Sequence, residues 1–264
     1  MLARGLGSRM RRAEAGVTLD PGQAALADQG LKAMIPVGRP LLDYILSGLA
    51  DAGITSVCLV VGPEHSAVRD YYRSAVRLTR LSLSFAVQPE PRGTADAVLA
   101  AEEFAAGDSV LVQNGDNYYP LPALAALRAL PRAGLVGFRK SGLTADGSIP
   151  AERVMAFAFI TVDPSGRLTR IAEKPSPAEA GTFGPDPLVS MNAWLLPPTI
   201  YDACRLVVLS PRGELELQDA VGIAMDRMGE RFRVVESTDP VLDLSTRVDI
   251  PLVAARLAGV EVRL

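Results

Sequence analysis

Two glycines near the amino terminus, Gly5 and Gly7, are separated by one residue and are followed by Arg9 and Arg11. Glycines at this spacing allow the backbone to approach a polyphosphate closely, and the exposed N–H groups of such a loop bind anions. Met10 stands where the third glycine of a dinucleotide fingerprint belongs, and no Gly-Lys-Ser/Thr of a Walker loop follows. The segment is either a phosphate-binding loop of another kind or a flexible basic terminus, and a dinucleotide-dependent oxidoreductase is disfavoured.

Three further charged side chains could serve phosphate chemistry. Lys32 precedes an apolar stretch that contains Pro36, and it could direct a compact positive charge at phosphates. Asp116 follows one predicted strand and Asp243 ends another. Mg²⁺ takes one or two protein carboxylates together with phosphate oxygens, so the two aspartates are candidate metal ligands. A solvated lysine, an Asn-Gly-Asp turn and a helix cap are the structural alternatives.

A segment with Gln88, Gly93 and Thr94 joins a predicted strand to an alanine-rich helix. A glutamine amide both donates and accepts hydrogen bonds, which suits the edge of a pyrimidine base. The alternative is a tight turn in which Thr94 caps the helix.

Glu173 and Lys174 end a later strand, and Asn192 lies in the strand after it. The glutamate could bind sugar hydroxyls and the lysine a phosphate. A pair of opposite charges at the end of a strand is the commoner interpretation of such residues.

Composition narrows the chemistry that these residues can perform. The chain has 264 residues, 48% of them apolar and 22% charged, as expected for a protein with a sizeable core. Its 27 Lys and Arg against 30 Asp and Glu give a net charge of −3, so nucleic acid is not an expected partner. With only Cys58, Cys204 and His65 present, a disulfide framework and a His/Cys zinc site are excluded. Carboxylates, lysines and arginines must carry any catalysis, and we expect His65 on the surface.

Strands and helices that alternate along the chain must position these residues. Apolar periodicity predicts strands over 56–61, 81–87, 109–113, 154–161, 168–173, 189–196, 232–235 and 241–244, and helices over 41–52, 95–106, 217–228 and 252–257. This alternation predicts an α/β fold with a Rossmann-like, mixed but mostly parallel sheet flanked by helices, built as one domain over 1–264. Ligands of such sheets bind at the carboxyl ends of the strands, where Asp116 falls.

No secretion or membrane signal is recognisable. Glycine and arginine occupy the positions near the amino terminus where an apolar core of a signal peptide would be needed. The longest apolar run, 154–160, is far shorter than the ~20 residues of a membrane helix. We expect a cytoplasmic protein with reduced cysteines and no membrane partner.

In their order along the chain, these motifs resemble the sugar-nucleotide pyrophosphorylase family, the NTP:sugar-1-phosphate nucleotidyltransferases. The resemblance covers nearly the whole chain and includes Gln-x-x-Pro-x-Gly-Thr-Ala, Gly-Asp, Glu-Lys-Pro and the stretch Gly213-Glu-Leu-Glu216-Leu-Gln-Asp219. It implies the nucleotide-diphospho-sugar transferase type of fold, with a nucleotide-binding half over 1–130 and a sugar-phosphate-binding half over 131–264.

The resemblance also implies a Mg²⁺-dependent enzyme that joins an NTP to a sugar-1-phosphate and releases pyrophosphate, and Gln88 favours UTP or dTTP. Positioning and charge neutralisation supply the catalysis, so no protein nucleophile is needed. The implied catalytic residues are Arg9, Lys32 and Asp116; the nucleotide-binding residues Ala3, Gly5, Gly7, Gln88, Gly93 and Thr94; the sugar-phosphate-binding residues Glu173, Lys174 and Asn192; and the Mg²⁺ ligands Asp116 and Asp243.

The chain departs from the family pattern at four places. Arg4 replaces a small residue, so we expect it to alter the loop or to add a phosphate contact. The segment 12–29 is an insert that we expect to reshape the mouth of the site. Ala158 replaces a glycine that would face the sugar, and only Met1 and Leu2 precede Ala3, so we expect a truncated first strand with upstream residues missing.

Two other functions remain open at this point. A relative with this fold could transfer CMP or GMP to a phosphoalcohol or a cofactor. A non-catalytic regulatory module that binds nucleotide would keep the fold but lose Lys32, Asp116 or Asp243, all of which are present. The oligomeric state is not predicted.

Overall fold

In the computed structural model, which describes residues 1–14, 16–145 and 149–264, strands and helices alternate through the first half of the chain. The strands are β1 (Ser56–Val61), β2 (Ser82–Val87), β3 (Val110–Val112), β4 (Asn117–Tyr118), β5 (Gly134–Arg139), β6 (Ala158–Val162), β7 (Leu168–Glu173), β8 (Leu188–Leu196), β9 (Arg233–Ser237) and β10 (Leu242–Asp243). The helices are α1 (Pro21–Gln29), α2 (Leu41–Asp51), α3 (Ser66–Asp70), α4 (Thr94–Leu99), α5 (Glu102–Ala105), α6 (Leu121–Arg128), α7 (Lys140–Thr144), α8 (Pro177–Gly181), α9 (Ile200–Arg205), α10 (Leu217–Met228) and α11 (Asp249–Leu257).

Most elements lie where apolar periodicity predicts them. In α2, the apolar residues Leu42, Ile45, Leu46 and Leu49 recur at helical spacing and are all buried. The alanine-rich segment is interrupted between α4 and α5. The predicted strand over 154–161 begins later, because residues Arg153–Ala156 form a 3₁₀ turn before β6. None of the helices in the described ranges is long and apolar enough to cross a membrane.

The sheet is mixed, as predicted. β1 pairs with β2 in parallel, and a six-stranded sheet runs in the order β7-β6-β8-β5-β9 with β3 also on β8. β5 and β9 are parallel, whereas β8 is antiparallel to β3, β5 and β6. The antiparallel ladders of this mixed sheet therefore come mainly from the second half of the chain. Its strands are joined by reversals such as the Asp163–Gly166 turn, closed by the Gly166 N–H donating to the Asp163 carbonyl at 2.9 Å.

Residues 1–3 form the short first strand, between β1 and the segment after β3. Leu2 bridges in parallel to both Val60 and Asn114. The terminal amine of Met1 is buried and donates to the Cys58 carbonyl at 2.8 Å. Burial lowers the pKa of this amine to about 6. A cavity of about 430 Å³ lies beside Met1, between β1 and β3.

The prediction that His65 lies on the surface is wrong. His65 is buried in the loop after β1, and its Nδ1 accepts the Gly62 N–H at 3.3 Å. Burial lowers the pKa of the imidazole, which keeps it neutral and able to accept. This histidine therefore closes the β1–α3 loop.

The insert 12–29 contains α1, which begins at a capping box formed by Asp20 and Gln23. The Gln23 amide reaches the Pro36 carbonyl at 2.8 Å, and Arg247 joins Asp28 to the Met10 carbonyl. Residue 15 lies outside the described part of the chain. The described insert residues buttress the glycine loop and its neighbours without lining the cleft described next.

Candidate active site

A cleft of about 410 Å³ opens at the carboxyl ends of three strands: the short strand of residues 1–3, β2 and β3. Most of the residues that the family resemblance implies line this cleft: Ala3, Gly5, Gly7, Arg9, Lys32, Gln88, Gly93, Thr94, Asp116, Asn192 and Asp243. Residues more than 200 positions apart in the chain thus meet at one edge of the sheet, as the strand-end rule predicts.

The glycine loop is positioned by close backbone contact. Gly7 has a φ of +59°, and a Cβ at this position would lie 2.5 Å from the Cα of Gly30. Only glycine fits there without displacing the backbone. Arg9 follows, and its Nη1 donates to the Ser245 hydroxyl at 3.2 Å. The glycine loop and Arg9 are therefore held against the segment that contains both Asp243 and Ser245.

Lys32 and Asp116 form an ion pair in which Nζ lies 2.8 Å from Oδ2. Their side chains are 18% and 28% exposed, so the pair is partly shielded from water but still open to a ligand. Burial disfavours the Lys32 ammonium, but the charge and hydrogen bond of Asp116 and the charge of Asp243 outweigh it and raise its pKa. Lys32 therefore stays cationic beside two carboxylates.

Asp243 lies next to this pair and is buried. Its Oδ1 accepts the Asn117 amide at 2.9 Å, and its Oδ2 lies 3.4 Å from Arg153. Burial, together with the negative charge of Asp116, raises the pKa of Asp243 to about 6. Two carboxylates that repel one another beside a cleft form an oxygen donor set that suits a divalent cation.

The predicted ligands Asp116 and Asp243 thus fit Mg²⁺, which would take its other ligands from phosphates and water. The described ranges hold no group of three or more His, Cys, Asp or Glu side chains placed to bind a metal ion, so these residues alone would not form an all-protein cage.

Arg153 and Asp249 hold the loop that carries Asp243. Arg153 Nη1 lies 2.9 Å from both carboxylate oxygens of Asp249. Asp249 also accepts the backbone N–H groups of Ser245 and Thr246, at 3.0 and 2.7 Å. These contacts fix the turn into α11, a role that sequence reasoning considered for Asp243 itself.

At the opposite end of the cleft, Gln88 is almost fully buried, with 2% of its surface exposed. Its Nε2 donates to the Asp96 carboxylate at 2.8 Å and to the Gly93 carbonyl at 3.1 Å. Both partners can only accept, so the amide orientation is fixed and Oε1 remains as an acceptor. Gly93 has a φ of +126°, and a Cβ there would lie 2.4 Å from the Leu215 carbonyl oxygen.

Thr94 lines the cleft, but its hydroxyl serves another element. The Oγ1 atom accepts the N–H of Leu217, the first residue of α10, at 2.9 Å. The alternative of a cap on its own helix is wrong, because the N-cap of α4 is Gly93. Its O–H remains able to donate to a nucleotide, and the N–H side of the Thr94 backbone can also approach one.

The predicted sugar-phosphate residues are arranged unequally. Asn192 lines the cleft, whereas Glu173 and Lys174 are not among its lining residues. They adjoin it through Phe157, whose carbonyl accepts the Lys174 N–H at 3.2 Å. Burial raises the pKa of Glu173 to about 7, against the opposing charges of Lys174 and Arg212. This pair therefore lies at the rim of the cleft.

Asn192 and Lys174 share an uncommon backbone conformation, with φ of +62° and +46°. Asn192 lies where the pairing of β8 with β5 shifts register, between Ser190, which pairs with Gly137, and Trp194, which pairs with Leu135. Bulges and left-handed non-glycine residues concentrate near functional sites, because they re-aim side chains at a local energetic cost.

Sequence reasoning missed a chain of amide hydrogen bonds that links the two ends of the site. Gln218 donates to Asn192 at 2.9 Å, and Asn192 approaches the Asn114 amide oxygen at 3.4 Å. Asn114 donates to Asn117 at 2.9 Å, and Asn117 holds Asp243. The Asn-Gly-Asp-Asn run signalled two of these residues, but their partners are far away in the sequence.

Comparison with known proteins agrees with this geometry. The family profile described as nucleotidyl transferase matches residues 26–239. The chain belongs to the nucleotidyl transferase family. The resemblance drawn from the motifs is therefore confirmed.

Similar proteins are named as nucleotidyltransferases. The low-salt glycan biosynthesis nucleotidyltransferase Agl11 of Haloferax volcanii is 25% identical over 227 residues, which are 84% of this chain and 55% of that protein. The chain thus spans about half of that relative. The UTP–glucose-1-phosphate uridylyltransferase AglF of the same organism is 27% identical over 84% of this chain and 81% of its own. A glucose-1-phosphate thymidylyltransferase of Streptomyces antibioticus is 29% identical over 71% and 49%.

Solved structures share the fold. A UDP-glucose pyrophosphorylase complexed with UDP-glucose superposes with a TM-score of 0.74 and 16% identity, covering 98% of this chain and 97% of its own. A UDP-glucose pyrophosphorylase from Acinetobacter baumanii gives a TM-score of 0.70 with 18% identity, covering 99% and 94%. The α/β fold class with a mixed sheet flanked by helices is confirmed.

Proposed function

We propose that the protein is a Mg²⁺-dependent nucleotidyltransferase that joins UTP or dTTP to a sugar-1-phosphate and releases pyrophosphate. The observation that carries this proposal is the Lys32–Asp116 pair at 2.8 Å, with Asp243 beside it and the glycine loop in the same cleft. Relatives named as uridylyltransferases and a thymidylyltransferase support both the reaction and the two bases.

The residues of the cleft would divide the work between binding and charge stabilisation. The backbone of Gly5 and Gly7, with Arg9, binds the triphosphate. Lys32 neutralises charge that builds up at the α-phosphate as an oxygen of the sugar-1-phosphate attacks in line. A P–O bond to that oxygen forms, the bond to the β-phosphate oxygen breaks, and pyrophosphate leaves with the electron pair.

Asp116 and Asp243 would hold Mg²⁺, which neutralises phosphate charge when it is bound. The sugar phosphate already carries a deprotonated oxygen at neutral pH, so no side chain needs to remove a proton. The rate enhancement then comes from positioning. This mechanism needs neither a histidine nor a cysteine, and His65, Cys58 and Cys204 are all buried.

The preference for UTP or dTTP follows from the fixed amide of Gln88. Because Nε2 is held by Asp96 and the Gly93 carbonyl, Oε1 faces a ligand as an acceptor. Uracil and thymine present a donor at N3, whereas cytosine presents an acceptor there. An Oε1 acceptor that faces N3 therefore favours uracil and thymine over cytosine.

At the other end, Glu173 and Asn192 would bind sugar hydroxyls and Lys174 the sugar phosphate. The position of Glu173 and Lys174 at the rim requires the substrate to extend out of the nucleotide cleft. The identity of the sugar is left to experiment.

The test is to incubate the protein with Mg²⁺, each of the common NTPs and a panel of sugar-1-phosphates, and to measure pyrophosphate. We expect release only with UTP or dTTP as the nucleotide. Asp116→Asn should abolish turnover while leaving the fold intact, and Asp226→Asn, at an exposed carboxylate in α10, serves as the matched control. No pyrophosphate with any pair would refute the proposal, and nucleotide binding without turnover would favour a regulatory module.

A further inference from the structure

Arg4 occupies the junction between the first strand and the glycine loop. Like its neighbours Ala3 and Gly5, it lines the cleft, and it lies next to the loop Gly62–His65 that follows β1. Its side chain is only 8% exposed. A guanidinium in this place is therefore held against protein atoms rather than dissolved in water.

The hydrogen bonds of this guanidinium are incomplete. Nη2 lies 3.4 and 3.5 Å from the two carboxylate oxygens of Glu64, at the limit of a hydrogen bond. Nε and Nη1 are buried and have no partner. Within the described part of the chain, Gln113 and Tyr201 also have buried polar atoms without partners, but both line the other cavity and neither is charged.

The charge around Arg4 is also unbalanced. Glu64 is 54% exposed, so water screens its pairing with Arg4. Arg69 donates to the carbonyls of Gly62 and Pro63 in the same loop. The positive charges of Arg4, Arg69 and Arg11 all act on His65. Among the described residues, Glu64 is the carboxylate that pairs with Arg4, and it lies beside His65, on which all three positive charges act.

We infer that Arg4 is a further phosphate-binding residue, which pairs with a non-bridging oxygen of the bound nucleotide. This inference rests on the proposed nucleotide binding. A neutral base carbonyl would leave the charge uncompensated, whereas a phosphate supplies both an acceptor and a negative charge. The base edge already has its own partner in Gln88, and Arg4 adjoins the loop whose N–H groups suit phosphates. Binding would exchange the long contact with Glu64 for a charge-assisted hydrogen bond.

The inference is tested by measuring binding of ligands that differ in phosphate content. The probes are uridine, UMP and UTP, together with thymidine, dTMP and dTTP, measured by calorimetry for the nucleotides and by ligand-observed NMR for the nucleosides. Arg4→Met should weaken binding of the triphosphate at least tenfold and change nucleoside binding less than twofold. Arg4→Lys should retain part of the triphosphate affinity. Arg132→Met is the matched control, at an exposed arginine outside the cleft lining.

Equal losses for nucleoside and triphosphate, or no loss for either, would overturn the inference. If Arg4→Met does not fold, Glu64→Gln provides a second measurement, because it removes the competing carboxylate and should leave triphosphate binding as tight as in the wild type or tighter. Weaker triphosphate binding by Glu64→Gln would contradict a phosphate role for Arg4. Failure of the wild-type protein to bind any nucleotide would instead refute the proposed function.

Discussion

The Lys32–Asp116 ion pair offers the most direct test of how the site balances its charges. Replacing Lys32 with methionine keeps most of the side-chain volume but leaves Asp116 without its paired cation beside Asp243, which keeps its contact with Arg153. The pair is neither fully exposed nor fully buried, so its loss falls between the ~0–1 kcal/mol of surface pairs and the ~3–5 kcal/mol of broken buried pairs. We therefore expect a loss of about 2 kcal/mol in the free energy of unfolding of the protein without ligands.

For a protein of this size, that loss corresponds to a fall in melting temperature of about 4–8 °C. The second substitution Asp116→Asn removes the carboxylate that Lys32→Met leaves unpaired. The double variant should therefore be more stable than the sum of the two single variants predicts, by about 1–2 kcal/mol. Thermal and urea unfolding of the four proteins in this double-mutant cycle would measure the coupling.

Turnover should respond much more than stability. Loss of a positive charge aimed at the reacting phosphate costs about 10²–10³ in kcat, by analogy with the loss of one oxyanion donor. Lys140→Met, at a lysine outside the cleft lining, should leave both quantities unchanged. A Lys32→Met protein with wild-type kcat would refute the catalytic role. A stability loss that Asp116→Asn does not relieve would show that the Lys32 ammonium supports the fold through a contact other than Asp116.

Three further predictions concern the base, the sugar and the metal. Asp96→Ala should free the Gln88 amide to turn and, in a competition assay, reduce the preference for UTP or dTTP over CTP about tenfold. Arg92→Met, which removes the 3.3 Å ion pair to Asp96, should leave that preference unchanged in the same assay. Because burial raises the pKa of Glu173 to about 7, the KM for the sugar phosphate should fall as pH rises through this value, and Glu173→Gln should remove this step. The folded state also loses stability as pH rises from 4.5 to about 7, since it binds this proton more tightly than the unfolded chain does. Asn117→Ala should raise the Mg²⁺ concentration needed for half-maximal activity about tenfold or more, because it releases Asp243; an unchanged Mg²⁺ dependence would refute that support.

The order of short motifs predicted much of the cleft, because chemistry at strand ends restricts residue types strongly. Gly7 needs a positive φ and close contact with Gly30, and an aspartate must lie in the segment after β3 if it is to reach Lys32. Such requirements leave a local trace in the sequence. The mixed sheet flanked by helices likewise followed from strand and helix periodicity.

Contacts between distant segments left no such trace. The orientation of Gln88 depends on Asp96, which lies in the first turn of α4 and could equally face solvent. The left-handed bulge at Asn192 arises from the pairing of β8 with β5, and local propensity does not predict it. His65 follows Pro63 and Glu64, residues typical of a surface turn. It is nevertheless buried in the folded loop between β1 and α3.

The buried terminal amine has a practical consequence for handling the protein. Met1 donates to Cys58 from inside the sheet, so residues of an affinity tag fused ahead of it would enter the space between β1 and β3. The carboxyl-terminal Leu264 is only partly buried, and its carbonyl accepts a bond from exposed Thr79. A tag or fluorophore is therefore better attached at this end.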